Sequence, residues 1–252
     1  MGKPILLLRL EGPLQSWGVR SRWDVRDTGP EPTKSGVVGL LGCALGCPVR
    51  EPRLEALDTG LRFGVRVESP GRVMVDYQTI TDFLPTADGR YKHDGVKVSS
   101  SLVKLRQDPK VKPATIESRR AYLEDAAFLV ALEDSGTQPD LVARCAEAMQ
   151  RPVWPIYLGR KACLPTRPVF EDLTERYEGI EDALTRHPWS WLGACGQDRR
   201  PLAHESVAYI EDEGGDLRRQ DAVRTNVARQ YGFRHARRIG VDLSLVTKGA
   251  SS

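Results

Sequence analysis

The order of elements read along the chain predicts an α+β fold: βαββ, an interruption, then βαβ, the order of a ferredoxin-like sheet with helices on one face. Two apolar stretches with a helix between them, one strictly alternating strand, and a dense run of turn formers in mid-chain carry this prediction. Ile5 to Leu10 is a short aliphatic run closed by Gly12-Pro13, which reads as a buried strand followed by a loop. From Pro13 to Pro32, glycines and prolines exclude a long regular element. Thr33 or Ser35 then offers an N-cap, and Val37 to Leu45 forms a mostly apolar helix stopped by Gly46 and Pro48.

Leu61, Phe63, Val65 and Val67 alternate with Arg62, Gly64, Arg66 and Glu68, the two-residue period of a half-buried strand, and Pro70-Gly71 turns it back into a partner at Arg72 to Thr81. Ala121 to Glu133 supplies another aliphatic strand, Leu141 to Met149 has helical spacing, and Val153 to Leu158 reads as a closing strand. Between Thr81 and Ser118, Asp88-Gly89 and Asp94-Gly95 mark hairpin turns in a Lys-bearing segment that reads as an inserted arm. After Cys163 the pattern turns to irregular strands and a short helix near Glu175 to Arg186, so a second, smaller module is expected from about residue 166. The fold alone settles no function.

A chain of 252 residues, 40% apolar, has enough material for one or two domains with their own cores, which excludes a peptide, a fibre and a disordered tail. Its 37 basic and 34 acidic residues leave a net charge of +3, so any nucleic-acid affinity must come from local clustering. Arginine outnumbers lysine 28 to 9, a bias that suits bidentate phosphate contacts and stacking on bases and that a GC-rich or heat-adapted genome would also produce. The five cysteines form no C-x-x-C pair, so neither a disulfide framework nor a zinc site is expected, and no metal or cofactor is assigned. With only four consecutive aliphatic residues near the start, no signal sequence or membrane span is read, and a cytoplasmic protein is expected.

Several basic clusters stand out. The segment Gly29 to Gly36 resembles a P-loop superficially, but Thr33 and Thr28 occupy the positions where its glycines are required, so nucleotide hydrolysis is not read here. What survives is Lys34, Ser35 and the free N–H groups of a helix start, a generic anion site. In the preceding loop, Trp17 and Trp23 alternate with Arg20, Arg22 and Arg26, and rings among guanidinium groups are what splayed bases and phosphates need. Further pairs are Arg119-Arg120 and Arg160-Lys161, either of which could be plain surface charge. Arg224 to Arg238 holds five Arg, one His and no acidic residue, interleaved with Tyr231 and Phe233, a pattern that favours RNA over a solvated face. For catalysis the supply is thin: Tyr91-Lys92-His93 is the one compact set able to act as acid, base and oxyanion stabiliser in metal-free RNA cleavage.

LLLRLEGPLQSWG, PTKSGVVGLLGCALG, SRRAYLEDAAFLVAL and PVWPIYLGRKACLP, in that order, resemble the signature segments of the CasD family, the type I-E Cascade subunits of the RAMP superfamily of CRISPR proteins. The resemblance implies a ferredoxin-like (RRM-like) palm at 1–80 and 119–165, an inserted β-hairpin thumb at 81–118 and a small C-terminal domain at 166–252. It implies a non-catalytic subunit that hooks and caps the 5′ handle of mature CRISPR RNA in antiviral defence. Its partners would be the adjacent backbone subunit and the large PAM-reading subunit, with target DNA reached only through the complex and no membrane involved. Carried onto this sequence, the handle-binding positions are Gln15, Ser16, Trp17, Arg22, Lys34, Ser35, Arg119, Arg120, Arg160 and Lys161. Relatives of another subtype cut the precursor with a Tyr, Lys and His set, so the alternative is a metal-independent endoribonuclease using Tyr91, Lys92 and His93.

Overall fold

The computed structural model describes residues 2–19, 25–86, 88–93, 96–138, 140–192, 204–225 and 231–247. In chain order the elements are β1 (Ile5–Glu11), β2 (Leu14–Gln15), β3 (Val25–Arg26), α1 (Lys34–Leu45), α2 (Pro52–Gly60), β4 (Leu61–Ser69), β5 (Arg72–Asp82), β6 (Leu84–Pro85), β7 (Tyr91–His93), β8 (Val96–Val98), α3 (Leu102–Gln107), β9 (Ala114–Glu124), β10 (Ala127–Asp134), α4 (Leu141–Gln150), β11 (Phe170–Thr174), α5 (Ile180–Arg186), β12 (Glu205–Glu211), β13 (Leu217–Val223), β14 (Tyr231–Asp242) and α6 (Leu243–Thr247). This is an α+β chain with antiparallel sheets. It forms two compact units, one of Met1–Val19, Asp27–Met74 and Tyr122–Ser252, the other of Arg20–Arg26 and Val75–Ala121.

The first unit is organised by a seven-stranded sheet in the order β11-β1-β10-β4-β12-β14-β13. β1 is buried along its whole length, which is why Ile5 to Leu8 are aliphatic on both faces rather than alternating, and why Arg9 and Glu11 are buried as well. Leu6, Leu8 and Leu10 enter the core that also holds α1 and α4 residues such as Leu41 and Val142, while Ile5 and Leu7 enter a second core with Ile180, Ala183 and Leu184 of α5. Gly64 of β4 lets α5 approach, because a Cβ there would lie 2.4 Å from Ile180 Cγ2. Helix α1 has the caps its sequence announces: Thr33 Oγ1 accepts from Gly36 N at 3.2 Å, and Gly46 closes the helix at φ +67°.

The alternation in β4 predicts a solvated face, and the structure places a second layer there instead. Arg66 is fully buried; its Nε donates to Glu68 at 3.0 Å and its Nη1 to the carbonyls of Leu184 and His187. Arg9 joins it, pairing with Glu68 at 3.3 Å and Glu171 at 3.1 Å and donating to Pro188 O at 2.6 Å. Burial alone would raise the Glu171 carboxyl, but the His187 hydrogen bond and the Arg9 and Arg167 charges hold it down at about 2. Two arginines thus pin the chain after α5 to the sheet through its backbone carbonyls.

Other expectations are corrected. Ala121 to Glu133 is two strands, because Asp125 takes φ +56° and breaks the run between β9 and β10. Val153 to Leu158 is not a strand: Pro152 and Pro155 remove donors, and Val153 N and Trp154 N cap α1 instead, at Ala44 O and Cys43 O. The strand that pairs beside β1 is β11. α2, which the sequence reading passed over, begins with Pro52 in its first turn. β12 to β14 form an antiparallel set that continues the sheet, with Ala208 opposite Arg66 of β4 and a break in the β13–β14 register between Arg219 and Ala222.

In the second unit, β3 pairs with β9 in parallel and β5 also pairs with β9, while β6, β7 and β8 form a three-stranded antiparallel sheet. Gly89, at φ +77°, makes the turn read at Asp88-Gly89; Asp94-Gly95 lies outside the described residues.

Candidate nucleic-acid interface

The loop after β1 is built from inside. Gln15 is fully buried, its Nε2 donating to Leu10 O at 3.1 Å and Ala126 O at 2.7 Å while its Oε1 accepts from Trp17 Nε1 at 3.0 Å. Trp17 is 1% exposed and lies so close to α1 that a Cβ at Gly36 would meet its ring at 2.8 Å. Gln15 and Trp17 are therefore struts that shape the loop. The expected base-stacking role of Trp17 is corrected by this burial, because the loop's bonding partners lie on remote strands.

A second loop is clamped onto the first. Ser16 N donates to Leu158 O at 3.1 Å, and a Cβ at Gly159 would sit 1.8 Å from Ser16 O. Gly159 also takes φ +90°, so both the turn and the close approach require glycine. Leu158 N donates to Cys163 O at 2.7 Å and Cys163 N to Arg160 O at 2.8 Å, closing a tight turn that carries Arg160 and Lys161. The Arg160 guanidinium lies 4.5 Å from the centre of the Tyr122 ring and donates to Asp27 O at 3.3 Å, which fixes its plane. Lys161 is exposed. Tyr122 is the partner the sequence reading missed; an aromatic two residues after a basic pair is the signal that was available.

Lys34 is not at the surface. Its Nζ lies 2.8 Å from both Glu211 carboxylate oxygens, and its backbone N–H donates to Asp221 Oδ2 at 2.7 Å. The anion at this helix start is thus the protein's own, supplied by β12 and β13, and this corrects the expected phosphate site at Lys34. Asp58, buried beside this cluster with its Oδ1 unbonded, is pushed up to about 6 by desolvation, against the pull of Lys34. Ser35 is half-buried and lines a groove along α1.

In the second unit, Arg119 is exposed and Arg120 half-buried, its Nε donating to Ser118 Oγ at 3.3 Å; their backbone pairs with Val25 and Arg26. Arg22 and Trp23 lie outside the described residues. Tyr91, Lys92 and His93 form β7, and the side chains of Lys92 and His93 lie outside what the structure describes. The Arg224 to Arg238 run is largely spent within the fold: Arg234 pairs with Asp221 at 2.7 Å, and Arg237 pairs with Glu181 and, at 2.9 Å, with Asp212. The acids that neutralise it come from other segments, so its charge in the sequence overstates its charge at the surface. Phe233 and Tyr231 remain about half exposed, with Arg218 stacked 3.6 Å from the Phe233 ring centre.

The model of the CRISPR-associated protein (Cas_Cas5) family matches residues 5–237, nearly the whole chain. The chain belongs to this family. It is also 33% identical over 168 residues to the CRISPR system Cascade subunit CasD of Escherichia coli (strain K12), covering 66% of this chain and 69% of that one. Among solved structures, a chain of a CRISPR RNA-guided surveillance complex is similar, with TM-score 0.69, 29% identity and coverage of 95% of this chain and 90% of that one. A crystal structure of a Cas protein matches at TM-score 0.66 and 33% identity, over 98% of this chain and 100% of that one. Among the described residues no helix is long and apolar enough to cross a membrane, and no group of three or more His, Cys, Asp or Glu side chains could hold a metal ion.

Proposed function

We propose that this chain is a non-catalytic RNA-binding subunit of a Cascade-type CRISPR surveillance complex, and that it caps the 5′ handle of mature CRISPR RNA. The observation that carries this reading is the Gly159-Arg160-Lys161 turn, locked to the loop after β1 by the Ser16 contact, in a chain 33% identical to a Cascade subunit. A rigid turn that presents a planar guanidinium beside an exposed ammonium suits an RNA backbone held at a fixed place. In this reading Arg160, Lys161, Arg119, Arg120, Arg22 and Ser35 touch the RNA, whereas Gln15, Ser16, Trp17 and Lys34 position the loops that do.

The sheet order β11-β1-β10-β4, with α1 following β1 and α4 following β10, supports a ferredoxin-like palm. The unit containing Val75–Ala121 serves as the thumb, and 166–252, whose strands β12 to β14 extend the first unit's sheet, is the C-terminal part of this reading. The adjacent backbone subunit and the large PAM-reading subunit are its protein partners, in the cytoplasm. The test is to co-express the chain with its genomic neighbours and extract the nucleic acid. A uniform CRISPR RNA with a protected 5′ end is expected, and its loss from the complex on combined Arg160→Ala and Lys161→Ala substitution. Cleavage of repeat RNA by the isolated chain in EDTA, abolished by His93→Ala, would overturn the reading in favour of a processing nuclease.

A further inference from the structure

Lysine is scarce in this chain and unevenly placed. Five of its nine lysines, Lys92, Lys97, Lys104, Lys110 and Lys112, fall within residues 92–112, where Arg106 is the one arginine. That run holds six basic and two acidic residues, a net charge of +4 against +3 for the whole chain. It belongs to the second unit. There Ser101 caps α3 by accepting from Lys104 N at 3.3 Å, and Leu105 anchors the helix as its buried residue. The chain then leaves in a tight turn, Val111 N donating to Asp108 O at 3.1 Å and Lys110 N to Asp108 Oδ1 at 2.9 Å. Lys104, Lys110 and Lys112 are thereby carried on one short helix and the turn after it, and all three are exposed.

Unlike Arg234 and Arg237, these cations are not neutralised. Each described carboxylate of the second unit already has another partner: Asp76 accepts from Gln78, Asp82 from Arg106 at 3.0 Å, Asp88 from Arg90 at 3.1 Å, Asp108 from the Lys110 backbone, and Glu117 from the Tyr77 hydroxyl. Among the described residues no carboxylate pairs with Lys104, Lys110 or Lys112. The chain also has no aromatic residue from Asp94 to Ala121. Single-strand sites stack splayed bases on aromatic rings, whereas a duplex hides its bases and offers a regular row of phosphates. An ammonium on a flexible stem follows phosphates without the fixed fork geometry of arginine. A protein partner fits less well, because lysine is depleted from protein interfaces. Val103 and Ile116, the exposed large apolar residues of this stretch, stand singly in the sequence among polar ones.

We propose that Lys104, Lys110 and Lys112 form a sequence-independent site for the phosphate backbone of a nucleic-acid duplex. The site does not depend on the capping reading, which is carried by the Gly159 turn of the first unit. It gives the chain a duplex contact of its own, one that positions the duplex and reads no bases.

The test titrates the full chain with DNA and RNA duplexes of two unrelated base sequences, and with single strands of the same length, at a series of salt concentrations. Each phosphate contact adds about 0.9 to the slope of log affinity against log salt on duplex DNA. Combined Lys104→Ala, Lys110→Ala and Lys112→Ala substitution should lower that slope by about 2.7, so that between about 50 and 200 mM salt the parent loses roughly 40-fold more affinity than the variant. The melting temperature should stay that of the parent, because none of the three side chains has an ion-pair partner in the fold. Replacing the same three lysines by arginine should restore the slope. The two base sequences should bind alike, and the tighter of the DNA and RNA duplexes names the backbone the site takes. Combined Arg160→Ala and Lys161→Ala substitution should release CRISPR RNA from the co-expressed complex and leave the lysine-dependent part of the duplex slope in place, so the two readings fail separately. An unchanged duplex slope in the triple alanine variant, or a loss confined to single strands, overturns the proposal. If that variant keeps its duplex slope but drops out of the complex, the lysines serve a protein contact and the inference is wrong.

Discussion

Two basic regions that look alike as sequence behave oppositely in the fold. The Arg224 to Arg238 segment has more cations in its sequence than the Gly159 turn, yet Arg234 and Arg237 are neutralised by Asp221, Glu181 and Asp212. The Gly159 turn has only two, and Lys161 is left at the surface while the Arg160 guanidinium lies over the Tyr122 ring. Local charge density therefore misleads unless the acids brought in by tertiary pairing are counted. The same holds more strongly for Arg9 and Arg66, which are interior groups that organise the carbonyls of residues 184–190.

That contrast can be broken in several ways. Arg66→Ala should cost most, about 3–5 kcal/mol, because it leaves Glu68 buried without its main partner; chemical denaturation reads it, and a loss under 1 kcal/mol would mean the network is not structural. Gly159→Ala should cost about 2–3 kcal/mol and release RNA at the same time, since it strains φ and drives the two loops apart. Unchanged stability with unchanged RNA content would sink the clamped-loop account.

Asp58 gives a pH signature. Its carboxyl sits at about 6 against the ordinary 3.8, so the folded state holds its proton more tightly and stability falls as pH rises from about 4 to 6. Asp58→Asn should remove this slope and raise stability at pH 7.5 by about 1–3 kcal/mol, visible in melting curves at several pH values. Glu171 acts with the opposite sign: its carboxyl, near 2 against 4.5, contributes stability that is lost as pH falls through that window. Glu171→Gln should flatten the acid limb.

The smallest effect separates the two basic regions directly. Lys161→Ala should lower the slope of log affinity against log salt by about 1, without change in melting temperature. Arg234→Ala should do the reverse, lowering stability and leaving the salt slope intact, because its charge is already matched by Asp221. Equal salt slopes for the two variants would abolish the distinction.

The sequence by itself determined the elements whose signals are local. Thr33 and Gly46 bound α1 because a cap needs only a side-chain oxygen or a left-handed residue a few positions away. The aliphatic run of β1 and the helical spacing of α4 are equally local. Ala121 to Glu133 was legible as extended chain but not as two strands, because the break depends on one backbone angle at Asp125. Of the site, the residues of the Gly159 turn were legible and their setting was not. Lys34 looked like a phosphate ligand until Glu211 and Asp221, nearly two hundred residues away, reached it. Gln15 and Trp17 looked like ligands until their partners on the sheet and α1 enclosed them. Capping and periodicity act over a few residues, whereas pairing and desolvation of charge depend on which distant segments the sheet brings together, and only the tertiary structure decides that.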